Sequence, residues 1–159
     1  MISRKNREIE ANSTVMSAGR PLVVVAEDSV PHQEAIVAAL NAAFGGKLDV
    51  YVTDTYTKAV DALRKNAHRV CGVVTDVNYY PDVPKPGKAD DTERCGLGMI
   101  WEARSIVPAV PVIVESDVDY ASEAILLKAD AFIFKKDIEE KGPELFRKLF
   151  KPKLTHGLK

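Results

Sequence analysis

The chain has 159 residues, 46% of them apolar, with 22 basic and 23 acidic side chains and a formal net charge of −1. That length makes one domain with short extensions, able to bury roughly two-thirds of its unfolded surface without a disulfide or metal staple. Nine Gly and nine Pro are too few for a disordered chain, and the balanced charge argues against a generally basic nucleic-acid binder.

Residues 1–20 carry scattered charges without the apolar core of a signal peptide, and read as a flexible extension. The longest apolar stretches are about five residues, far short of the ~20 that span a bilayer. A soluble, cytoplasmic protein with no membrane partner is expected. Cys71 and Cys95 form no CxxC. Cys71 opens an apolar run and reads as a small buried hydrophobe, Cys95 stays open, and a reducing compartment follows.

Order begins at Leu22-Val23-Val24-Val25-Ala26, a β-branched run without polar alternation, as in a strand buried on both faces of a parallel sheet. Ser29 and Pro31 start a helix; Ile36, Val37, Leu40 and Phe44 follow at helical spacing, and Gly45-Gly46 end it. The alternation then repeats. Strands are predicted at 48–52, 70–75, 110–114 and 131–134, and helices at 55–67, 96–106, 120–128 and 138–150. Pro143 marks the true start of the last helix, because proline is tolerated only in a first turn. Residues 21–150 thus form one domain, and 151–159 a tail too short to fold alone. Five βα units in series predict an α/β fold with a doubly wound, five-stranded parallel sheet between two helical layers.

In such a sheet ligands bind beyond the carboxyl ends of the strands, where the strand order reverses. The residues there are Glu27 and Asp28 after the first strand, Asp76 after the third, Glu115-Ser116-Asp117 after the fourth and Lys135-Lys136 after the fifth. Gathered carboxylates repel unless a cation joins them, and oxygen-only donors suit Mg²⁺ rather than zinc. His32, His68 and His156 share no metal-ligand spacing. A carboxylate beside Mg²⁺, a lysine and a serine is an apparatus for accepting a phosphoryl group.

The segments VVVAEDS, VVTD, VIVES and ADAFIFKK, in that order, resemble the receiver (CheY-like) domain of two-component response regulators over about residues 21–150. The resemblance implies a flavodoxin-like (βα)5 fold and a role for each matching position. Asp76 corresponds to the phosphoacceptor, Glu27 and Asp28 to the Mg²⁺-binding acidic pair with Asp28 as direct ligand, and Asn78 to the residue that lends the ion a backbone carbonyl. Ser116 corresponds to the switch hydroxyl, Lys135 to the lysine on the phosphoryl oxygens, Phe132 to the switch aromatic and Gly96 to the glycine opening the third helix. It further implies a sensor histidine kinase or phosphotransfer protein as donor, a downstream partner protein as output, and no enzymatic turnover beyond the domain's own phosphoryl transfer and autodephosphorylation. The last two strand-helix units become a candidate homodimer surface.

Three departures from the family pattern stand out. Lys136 replaces the proline that follows the lysine, where the bond is commonly cis. Asp117 replaces a small residue beside the switch serine, which predicts slower phosphoryl transfer or selectivity against small-molecule donors. Twenty positions separate Asp76 from Gly96, with Asn78-Tyr79-Tyr80-Pro81 in place of a Met-Pro turn. A loop of that length reads as a lid, a partner contact or plain disorder. The competing readings are a degenerate receiver serving as a constitutive scaffold, and an aspartate-nucleophile phosphohydrolase. The latter needs a second aspartate two residues on, where this chain has Asn78. A GxGxxG or Walker loop for nucleotide binding is absent from the sequence.

Overall fold

A computed structural model of the chain describes residues 19–77 and 95–157. Residues 1–18 of the expected extension at 1–20, Asn78 and the long loop after it lie outside the described residues. The extension's last residue is not free: the Arg20 guanidinium lies 3.5 Å from Asp49 and donates to the Leu48 carbonyl at 3.3 Å. Five strands are present: β1 (Leu22–Ala26), β2 (Asp49–Thr53), β3 (Val70–Asp76), β4 (Val112–Ser116) and β5 (Ala131–Phe134). The helices between them are α1 (Val30–Phe44), α2 (Tyr56–Lys65), α3 (Cys95–Ile106), α4 (Ala121–Leu126) and α5 (Ile138–Gly157). All strands are parallel, in the order β2-β1-β3-β4-β5. The order reverses between β1 and β3, which opens a crevice at their carboxyl ends.

The helix signals act as the sequence suggests. Ser29 caps α1 with extended backbone, Pro31 lies in its first turn, and Gly45 ends it in the left-handed region at φ 60°. In α2 the Thr55 hydroxyl accepts the Lys58 N–H, satisfying one of the unpaired donors of the first turn. The last helix departs from expectation. It begins at Ile138, straight out of a 3₁₀ turn over Lys135–Asp137, so Pro143 lies inside it, and it continues past Phe150 to Gly157. Buried Ile138 on one side of the proline and Phe146 and Phe150 on the other hold both segments to the same sheet face. That packing outweighs the one backbone hydrogen bond the proline forfeits.

Two apolar layers sandwich the sheet. Leu22, Val24, Val73, Val112 and Val114 pack with Ala59, Leu63, Met99, Ile100 and Ala103 of α2 and α3. Val23, Val25, Val74, Ile113 and Ile133 pack with Ile36 and Leu40 of α1 and with Ile138, Phe146 and Phe150 of α5. Since successive strand side chains alternate between faces, this division fixes what each strand delivers at its end. Glu27 continues the phase of Val23 and Val25, Asp76 that of Val74, Glu115 that of Ile113 and Lys135 that of Ile133. All four are thus directed to the α1/α5 side of the sheet. Ser116 and Phe132 carry the opposite phase, with Val114 and the α2/α3 layer.

One irregularity makes this possible. Leu22 pairs with Val70 but Val23 pairs with Gly72, so Cys71 is an extra residue in β3. A Cβ on Gly72 would meet the Phe150 ring at 2.5 Å, so only glycine lets the α5 aromatic lie against the strand here.

Candidate functional site

Three carboxylates converge at the carboxyl edge. Glu27 and Glu115 are fully buried and Asp76 is 2% exposed. Each offers an oxygen within 4.8 Å of the others'. The β3–β4 register sets Asp76 directly beside Glu115. Backbone bonds hold the strand ends in place: Glu27 N–H donates to the Thr53 carbonyl at 3.0 Å and Val77 N–H to the Glu115 carbonyl at 3.3 Å.

Lys135 reaches into this group from the end of β5. Its Nζ donates to Asp76 Oδ2 at 3.0 Å and lies 3.1 Å from Glu27 Oε2 and 3.9 Å from Glu115 Oε2. The ammonium also lies 3.4 Å from His32 Nδ1, on the first turn of α1. There is no cis peptide bond among the described residues, so the Lys135–Lys136 bond is trans and the lysine reaches Asp76 without the family's proline.

The electrostatics follow from this crowding. Burial would lower the Lys135 pKa, but the carboxylates of Glu115, Glu27 and Asp76 outweigh it and hold the ammonium charged well above the ordinary lysine range. Burial pushes the Glu115 carboxyl far up, and the neighbouring Glu27 and Asp76 act in the same direction against Lys135. Glu27 is held below the usual range: burial raises it, but contacts with Glu115, the Ser29 N–H and Lys135 outweigh that. Asp28 is pushed up to about 6 by burial and by the adjacent Glu27.

The other expected residues occupy distinct places. Asp28 is half-buried beside the group, not one of the three acids whose oxygens cluster. Ser116 is buried, and its Oγ accepts the Val118 N–H at 3.1 Å. Phe132 is half-buried against the α2/α3 layer and meets Phe134 edge-on at 5.1 Å between ring centroids. Asp117 is exposed. Gly96 lies in the first turn of α3. Sequence reasoning placed Glu115 at this edge after the fourth strand but gave it no role, and found no metal-ligand spacing for His32. The available signal for Glu115 was an acid inside an otherwise apolar strand, two positions after Ile113.

The donor set fits a hard divalent cation. It contains oxygens only, and both Glu115 oxygens are buried with no hydrogen-bond donor among the described residues. Glu27 and Asp76, with Asp28 half-buried beside Glu27, are side chains that would hold Mg²⁺ here.

Solved structures sharing this fold are receiver domains. The non-phosphorylated receiver domain of the stress response regulator RcsB from Escherichia coli matches with TM-score 0.65 and 17% identity, over 84% of this chain and 95% of that one. A response regulator receiver domain from Clostridium thermocellum matches with TM-score 0.61 and 16% identity, over 86% of this chain and 95% of that one. The phosphorylated cyanobacterial phytochrome response regulator RcpA matches with TM-score 0.61 and 14% identity, over 84% and 96%. No protein-family model and no curated protein matches the sequence. The chain therefore has the flavodoxin-like fold of response regulator receiver domains. No helix among the described residues is long and apolar enough to cross a membrane.

Proposed function

We propose that this chain is a phosphorylation-switched receiver that takes a phosphoryl group on Asp76 from the phosphohistidine of a sensor histidine kinase or phosphotransfer protein. The observation that carries the reading is the Asp76 carboxylate at the sheet's switch point, held by the Lys135 ammonium at 3.0 Å among buried acids. In the transfer the Asp76 carboxylate oxygen forms the new O–P bond while the donor's N–P bond breaks and its electron pair returns to the imidazole nitrogen. Mg²⁺, when bound, neutralises charge on the transferring phosphoryl group. Lys135 supplies a second positive charge at the acceptor oxygen, and Ser116 a hydroxyl at the end of the neighbouring strand. The protein performs its own phosphorylation and dephosphorylation and no turnover of a free substrate. Its output is contact with a partner protein, and the units β4-α4 and β5-α5 are the candidate surface for that contact or for a homodimer.

The test is intact-mass spectrometry after incubation with Mg²⁺ and either a phosphohistidine kinase domain or acetyl phosphate. A labile gain of ~80 Da, absent in Asp76→Asn, is expected. If the protein neither binds Mg²⁺ nor is modified by either donor, the chain is a receiver fold kept as a constitutive scaffold; Mg²⁺ binding without modification points to the choice of kinase or to Asp117. Asp117 bears on the rate. Its exposed carboxylate follows Ser116 and repels a dianionic donor, with solvent and salt weakening the effect. Asp117→Ala is expected to react with acetyl phosphate about two- to fivefold faster, and more so at low salt. An unchanged initial rate would remove Asp117 from the account.

A further inference from the structure

We infer that Glu115 is a direct ligand of the divalent cation in this site, completing with Glu27 and Asp76 a set of three buried carboxylates. The inference rests on the receiver reading for the presence of the ion, and goes beyond it in the residue that binds. The resemblance assigns the ion to the acidic pair, the phosphoacceptor and a backbone carbonyl, and gives the position before the switch serine no part. In this chain that position carries an acid, its phase along β4 points it to the same sheet face as Glu27 and Asp76, and the strand register sets it beside Asp76.

Three facts favour a cation at Glu115. Its two carboxylate oxygens are wholly buried, and no donor among the described residues reaches either. Lys135 serves it least, with Nζ at 3.9 Å against 3.0 Å to Asp76 and 3.1 Å to Glu27. With Glu115 deprotonated, the three carboxylates outnumber the one ammonium by two charges inside a 4.8 Å cluster, which one divalent ion would cancel. Asp28, half-buried beside the group, is then left to act on the ion's outer waters.

Mn²⁺ serves as the probe, its binding followed by electron paramagnetic resonance. Glu115→Gln keeps the shape and supplies an N–H for Glu27, so it should fold; Glu115→Met, similar in volume without the oxygens, is the second variant. Both are expected to bind Mn²⁺ at least tenfold more weakly than wild type. In the wild type, line broadening by ¹⁷O-water should count three or fewer waters, since about six positions are shared with three carboxylates. Wild-type affinity in Glu115→Gln overturns the inference, because the side chain then only shares a proton with Glu27; so do four or more waters in the wild type. Phosphoryl uptake by the wild type is measured in parallel. A protein that takes up phosphoryl while Glu115→Gln binds Mn²⁺ normally fails the inference alone. One that loses Mn²⁺ affinity in the variant but is never phosphorylated fails the receiver reading alone.

Discussion

Lys135→Met is expected to destabilise the protein by about 3–5 kcal/mol in the presence of a chelator, the usual cost of removing one partner from a buried ionic group. The lysine side chain is 8% exposed, and its three acidic neighbours are 0–2% exposed, so water cannot replace the lost ammonium. Mg²⁺ should restore much of the loss. A ligand present at a hundred times its dissociation constant adds about 2.7 kcal/mol. The variant should bind the ion more tightly than wild type, because no ammonium competes for the same oxygens. Urea unfolding in chelator and in Mg²⁺ measures both effects. A loss below about 1 kcal/mol in chelator would mean that the acids are neutralised by protons and do not depend on Lys135.

The second large effect concerns the contact between β3 and α5. Phe150→Ala should cost about 3–5 kcal/mol, since the ring is fully buried and stacks on Phe146 with centroids 5.7 Å apart. Gly72→Ala should cost about 1–3 kcal/mol in the wild type through overpacking, because the new Cβ would meet ring atoms at 2.5–2.8 Å. In the Phe150→Ala background the same glycine change should cost almost nothing, since the alanine methyl then fills part of the vacated space. A double-mutant cycle by urea unfolding reads this as a strongly favourable coupling. Additive costs would show that Gly72 is required for its backbone and not for the ring.

Much of this arrangement was legible in the chain and some was not. β1 and β3 are β-branched runs buried on both faces, which the sequence displays directly, and the residues after them, Glu27 and Asp76, follow at once. Lys135 is legible for the same reason. The burial of Glu115 was not, although the residue was placed at this edge, because β4 runs two residues further than its apolar stretch suggests, to Ser116. A strand apolar on both faces also shows no alternation from which to read the phase of its final acid. The start of α5 was misjudged through Pro143, since a local rule about proline carries no information on the tertiary packing of Ile138 and Phe146.

The extra residue at Cys71 has a consequence for how this protein can vary. Val70 and Val73 both face α2 and α3, which an uninterrupted strand could not arrange. The bulge uncouples the two ends of β3: its start is anchored in one layer, while its finish presents Asp76 to the other. A strand paired in regular alternation from Val70, with Cys71 no longer extra, would keep every apolar side chain. Yet it would turn threonine and valine toward Glu27 and Lys135, and bury the aspartate among hydrocarbon. The chemistry of the edge thus hangs on a single uncounted step in the strand's rhythm, set far from the acids themselves.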